Sequence, residues 1–140
     1  MFIISIYCSQ NQLEILQEKL KSVLIVEDEW VFSMILKHMV KHMVDEPFIA
    51  QAADVTVAQS LLELKRFDLL LLNISLTHFN CSPEFIFSIK KRFPTMKIIV
   101  LFEVDLPDQR AYLNSGVHCF VKKIGDVHTK LNEAIFSVFK

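Results

Sequence analysis

Five short apolar runs punctuate the chain: SVLIV at 22–26, FIAQAA at 48–53, DLLLLN at 68–73, MKIIVLF at 96–102 and HCFVKK at 118–123. SVLIV in particular is apolar at every position but one. A strand with one wet face would alternate, so such a run belongs inside a parallel sheet covered on both sides. The segments between the runs have helical spacing. WVFSMILKHMVKHM repeats apolar residues at Val31, Ile35, Met39 and Met43, one helix face, and Pro47 lies just beyond its end. Asp54 predicts a capped helix to about Lys65 that buries Val57, Leu61 and Leu64. After the loop ISLTHFNCS, Pro83 suits a first helical turn, and Gly116 suits the end of a helix near Pro107 to Ser115. DVHTKLNEAIFSVF closes the chain with Leu131, Ile135 and Val138 on one side. Five strands alternating with five helices predict an α/β three-layer sandwich, a parallel sheet with helices on both faces and right-handed crossovers.

In that architecture chemistry collects at the carboxyl ends of the strands. Glu27, Asp28, Asn73, Phe102 and Lys123 stand there. At 140 residues the chain is one domain long. Its mean hydropathy of +0.37 is high, yet no apolar run approaches the roughly 18 residues of a membrane span, so a cytoplasmic globule without membrane contact is expected. A formal net charge of -1 gives no electrostatic reason to bind nucleic acid, and Lys90, Lys91 and Arg92 read as a solvated helix end. Cys8, Cys81 and Cys119 are odd in number and without CxxC spacing, which argues for reduced thiols and against a zinc site. MFIISIYCSQ lacks the basic start and the apolar length of a secretory signal.

Two acids after the first strand, a polar residue ending the third and a lysine ending the fifth form a recognisable set. From VLIVEDE through VKKI, nearly all of residues 22–140 resembles the receiver domain of two-component response regulators. The acidic pair, FDLLLLN, KIIVLF and GVHCFVKK occur in that family's order at family-like spacing. The resemblance implies a flavodoxin-like (βα)5 fold of strand order 2-1-3-4-5 over residues 21–140, with 1–20 as an N-terminal extension. It also implies that Glu27 and Asp28, with the main-chain carbonyl of Ser75, are the metal-holding positions. Lys123 matches the lysine that pairs with a transferred phosphoryl group, and Asn73 falls where the family has its phosphorylated aspartate.

Asn73 departs from that pattern in a way that matters chemically. A carboxylate attacks phosphorus to give an acyl phosphate, whereas an amide oxygen is only weakly nucleophilic. Phe102 stands where the family usually carries a Ser or Thr hydroxyl, and a phenyl ring cannot hydrogen-bond a phosphoryl group. Ile124 replaces a common proline. Two losses in one site predict a degenerate, or pseudo-receiver, module that acts through phosphorylation-independent protein contacts and catalyses nothing. Three clustered carboxylates would repel by roughly 4 kcal/mol per pair at about 4 Å and an effective dielectric of about 20. The amide removes two of those pairs, so weak Mg²⁺ binding is expected, with Lys123 pairing directly to Asp28.

Other residues carry weaker signals. Phe120 aligns with the family's switch aromatic, and beside Phe102 it is expected to hold one rotamer. The fourth helix, fifth strand and fifth helix, with Tyr112, Leu113 and Val121, resemble the family's partner-binding or dimerising face, about half of it core. A signalling protein, either a histidine kinase or a downstream regulator, is the implied partner, with a homodimer through that face as another. His38 and His42 lie four apart, a chelating spacing with no third ligand in view, so they read as exposed helix histidines. FIISIYC could add a strand, and Leu13, Leu16 and Leu20 of NQLEILQEKL share a helix face, which suits either a dimerising arm or a loose extension. Two rival functions remain: a receiver phosphorylated at another residue, such as Ser75, and a flavodoxin-like enzyme or nucleotide binder. Against the latter, EDEW stands where a phosphate cradle would need Gly, Ser or Thr.

Overall fold

The computed structural model describes residues 10–106 and 108–140. Helix α1 (Gln10–Lys19) precedes strand β1 (Ser22–Val26), followed by α2 (Trp30–Met43), β2 (Phe48–Ala52), α3 (Val55–Leu64) and β3 (Leu69–Asn73). A small antiparallel hairpin, β4 (Ser75–Leu76) and β5 (Phe79–Asn80), occupies what reads in sequence as a plain loop. Then come α4 (Pro83–Arg92), β6 (Lys97–Phe102), α5 (Gln109–Ser115), β7 (Cys119–Lys122) and α6 (Val127–Phe139). The expected extra strand in FIISIYC and the helix start at Pro107 lie outside the described residues. All pairs of the main sheet are parallel, in the order β2-β1-β3-β6-β7. That is the flavodoxin-like order 2-1-3-4-5 once the hairpin is set aside.

Because side chains alternate along a strand, the greasy runs fill two cores. Val23, Ile25, Leu69, Leu71, Ile99, Leu101 and Val121 face α1, α2 and α6, while Leu24, Val26, Leu70, Leu72, Ile98, Val100 and Phe102 face α3, α4 and α5. Leu71 has no exposed surface, and truncating such a residue to alanine costs about 2–5 kcal/mol. Helix starts follow the sequence: Asp54, Ser82, Asp108 and Asp126 each accept a hydrogen bond from the backbone N–H three residues on. Each such cap contributes about 1 kcal/mol. Asp68 ties β1 to β3 by accepting from the N–H groups of Lys21 and Ser22 at 2.8 and 3.0 Å.

Two helices bury only part of the faces their periodicity predicts: Met39 and Met43 of α2 and, in part, Leu61 of α3. In α2 the buried residues are Ser33, Leu36, Met39, Val40 and Met43, leaving Val31 and Ile35 exposed. This helix is apolar nearly all round in its first two turns, so several stripes fit a period of 3.6 residues and only packing chooses among them. In α3 the buried pair is Ala58 and Leu62, with Val57 and Leu64 exposed. The small Ala58 and the Leu62 one turn on fill this contact with the core. Helix α1 turns its leucines inward. Leu16 and Leu20 are 1 % exposed within the core, and α1 rests on α2 and α6. A paired amide contact between Gln17 and the Asp45 backbone, 2.8 and 3.2 Å, secures it.

Candidate functional site

Strand β1 ends by delivering Glu27, whose N–H still donates to the Ala52 carbonyl at 3.0 Å, so the residue continues the strand direction. Its side chain is fully buried. Lys123 follows β7 in the same way, its N–H donating to the Phe102 carbonyl at 2.7 Å. Both side chains thus converge on the carboxyl edge of the sheet. The Lys123 ammonium donates to Glu27 Oε1 at 2.6 Å, and the lysine side chain is only 3 % exposed. A buried ammonium needs close compensation. It has three partners: Glu27, the exposed Glu103 carboxylate at 3.4 Å and the Phe32 ring face at 4.3 Å.

Asn73, the last residue of β3, is buried and donates from Nδ2 to Glu27 Oε2 at 2.9 Å. Its Oδ1 accepts from the Ser75 N–H at 3.1 Å. These two neighbours fix the amide's orientation, since the flipped form would set oxygen against carboxylate and NH₂ against N–H. Glu29 N–H adds a donor to Glu27 Oε2 at 3.1 Å. One carboxylate therefore receives an ammonium, an amide and a backbone N–H. Charge and hydrogen bonds balance without any added group.

Asp28 is placed otherwise. Its Oδ2 accepts from the Thr77 N–H at 2.6 Å and from the Thr77 hydroxyl. Burial works against the charged form, but the Thr77 hydrogen bonds outweigh it and hold the Asp28 carboxyl below the usual carboxylate range. The expected Lys123–Asp28 pair is thus corrected to Lys123–Glu27. The turn after β1 carries Asp28 out toward the β4–β5 hairpin, and a buried ammonium takes the buried carboxylate. Ser75 is exposed in β4 and meets Asn73 through its N–H. A divalent ion does not fit this donor set as arranged. It would have to displace the Lys123 ammonium or the Asn73 amide from Glu27, and among the described residues no group of three or more His, Cys, Asp and Glu is arranged to hold a metal.

Phe102 is 6 % exposed and packs in one core with Phe120 and Tyr112. Half-buried Phe120 meets Tyr112 edge to face at 6.5 Å, and the Tyr112 hydroxyl donates to the Cys81 carbonyl at 2.9 Å. That bond ties α5 to the segment entering α4. Of the apolar residues marked for the α5, β7 and α6 face, Val121 is core and Leu113 is exposed. His38 and His42 are exposed, their Nε2 atoms 2.9 Å apart.

Of the residues singled out in the sequence, the structure joins Glu27, Asn73 and Lys123 in one connected cluster, with Asp28 and Ser75 at its border and Phe102 behind it in the core. Phe32, Thr77 and Glu103 were missed. Phe32 lies on a helix whose facing was ambiguous, and Thr77 meets Asp28 across 49 positions of chain, where no local pattern points.

Comparisons with known proteins agree on the fold. Similar solved structures include RcsB from Salmonella enterica serovar Typhimurium, bound to promoter rprA in the presence of phosphomimetic BeF3-. It is 21% identical with a TM-score of 0.72, covering 84% of this chain and 67% of that one. A LuxR-family DNA-binding response regulator from Staphylococcus aureus is 22% identical with a TM-score of 0.73, covering 86% of this chain and 100% of that one. A CheY-like receiver domain protein from Methanospirillum hungatei JF-1 is 24% identical with a TM-score of 0.69, covering 84% and 95%. The comparison with curated proteins finds no match. A family model, the response regulator receiver domain, matches residues 23–135. That span holds all of the main sheet but Ser22, together with the Glu27, Asn73 and Lys123 cluster, and the chain belongs to the response regulator receiver domain family.

Proposed function

We propose that this receiver domain is a non-catalytic module of two-component signalling that acts through protein contacts without accepting a phosphoryl group at residue 73. The observation that carries the reading is the Asn73 amide donating to Glu27 at 2.9 Å while Lys123 occupies the other Glu27 oxygen at 2.6 Å. An amide at this position is a poor nucleophile, and the lysine that would meet a phosphoryl group is already neutralised. Phe102 supplies no hydroxyl at the end of β6, and its packing in one core with Phe120 and Tyr112 favours one arrangement over a switch. Mg²⁺ binding is weak in this reading, because an ion must compete with an internal ammonium for Glu27. A histidine kinase or a downstream regulator is the partner class, met in the cytoplasm.

Glu27, Asp28 and Glu29 all surround the start of α2, which disfavours a nucleotide phosphate there and with it a flavodoxin-like enzyme. Intact mass spectrometry after incubation with a small-molecule phosphodonor and Mg²⁺ tests the reading, with Asn73→Asp alongside. No phosphoryl adduct on the native chain is the expected result. An adduct on it, mapped to Ser75 or any other residue, would replace this reading with that of a receiver phosphorylated elsewhere.

A further inference from the structure

Two imidazoles on the outer side of α2 are set as a chelating pair. His38 and His42 are exposed and four residues apart, neighbours across one helical turn. Their Nε2 atoms are 2.9 Å apart and their ring centres 4.2 Å, so the rings turn their Nε2 edges toward each other, at an interplanar angle of 73°. With both rings uncharged, one Nε2–H donates to the other Nε2. Moving that one proton to the Nδ1 of its own ring keeps both rings neutral and leaves two Nε2 lone pairs facing the same space. Sequence spacing does not decide this, because each ring also has rotamers that point away.

The separation selects a class of ion. Two nitrogens each about 2.0–2.1 Å from a metal and about 90° apart are about 2.9 Å from one another, whereas a tetrahedral angle spreads them to about 3.4 Å. The observed distance is the first of these, the cis edge of a tetragonal site. Imidazole in that geometry suits Cu²⁺ and Ni²⁺, while Mg²⁺ takes oxygen ligands. Among the described residues no group of three or more His, Cys, Asp and Glu is arranged for a metal, so the protein supplies two ligands and water the others. Desolvation, and after it the charges of His38 and His128, hold His42 below its ordinary pKa, which favours the uncharged ring that a metal requires. Lys41 is the adjacent cation, exposed on a flexible stem that keeps its ammonium in water. We propose that His38 and His42 form a bidentate site for a divalent ion of the Cu²⁺ and Ni²⁺ class, clamping the later turns of α2. The pair begins about 12 Å along α2 from Trp30, away from the Glu27 end, and the inference is independent of whether residue 73 accepts phosphate.

Calorimetric titration of the full chain, free of any affinity tag, with Ni²⁺ tests it, an ion that leaves the thiols unoxidised. One ion per chain is expected, with a Kd well below about 1 mM. His38→Ala and His42→Ala should each weaken binding at least about tenfold, whereas His78→Ala and an excess of Mg²⁺ should leave it unchanged. Ni²⁺ should also raise the thermal midpoint of the native chain and of neither α2 variant. Melts without metal separate lost binding from lost fold, since both substitutions are at exposed positions. Binding only at about 1 mM Ni²⁺ or above overturns the proposal. Binding that survives either α2 substitution, or that Mg²⁺ displaces, overturns it too, because the ion then sits on other groups.

Discussion

Replacing Asn73 by aspartate should convert the quiet cluster into a strained one. The amide nitrogen lies 2.9 Å from Glu27 Oε2, so a carboxylate at 73 exchanges a hydrogen bond for a like-charge contact. Two carboxylates about 4 Å apart repel by roughly 4 kcal/mol at an effective dielectric of about 20, and the lost hydrogen bond adds about 1 kcal/mol. Protonation limits the damage. A carboxyl of ordinary pKa near 4 can be held neutral at pH 7 for about 4 kcal/mol. The expected loss is therefore about 2–4 kcal/mol at pH 7 in EDTA, measured by urea unfolding, against about 1–2 kcal/mol for the uncharged control Asn73→Ala. The sign with pH follows from linkage. The folded variant holds a carboxyl whose pKa is raised, so it binds more protons than the unfolded chain, and the deficit relative to the native chain should shrink as pH falls from 7 toward 4. Excess Mg²⁺ should restore stability to the variant and leave the native chain unchanged. An Asn73→Asp chain as stable as the native one in EDTA, or a deficit independent of pH, would refute the argument that residue 73 sets the charge balance of the site.

Other parts of the molecule give three further expected outcomes. Gly116→Ala should cost about 1–3 kcal/mol in urea unfolding, because φ is +115° there and a Cβ would lie 2.5 Å from the Lys90 Cγ. His118 is held neutral, its pKa pushed down to about 4 by burial and by Lys90 and Lys97, while its Nδ1 accepts from Ile98 N–H at 3.1 Å. The unfolded chain takes up that proton first, so stability should fall as pH drops from about 6.5 to about 4, by at most about 3 kcal/mol and less after solvent screening of the half-buried ring. His118→Gln should flatten that window in a stability-against-pH series. Leu16→Ala should cost about 2–4 kcal/mol in a cooperative transition if α1 belongs to the folding unit; an unchanged midpoint would make it an appendage.

Local chemistry explains how much of the fold is legible in the residues themselves. SVLIV and DLLLLN could bury themselves only between two helical layers, and Asp54 announces a helix start through a hydrogen bond made within four residues. The strand-end positions of Glu27, Asn73 and Lys123 followed from the alternation itself, since a parallel sheet gathers its strand ends on one edge. The facing of α2 did not follow, because a helix apolar nearly all round offers several stripes of equal merit and the sheet selects one. Nor did the partner of Lys123. Glu27 and Asp28 are adjacent in sequence and equivalent in charge, and only the turn after β1 decides that one is buried against the ammonium while the other reaches Thr77. Periodicity and functional-group chemistry are properties of residues, so the layered fold and the weak nucleophilicity of the amide at residue 73 are written in the chain. How the remaining charges settle is a property of the folded molecule, because compensation of a buried charge depends on distances between residues far apart in the chain.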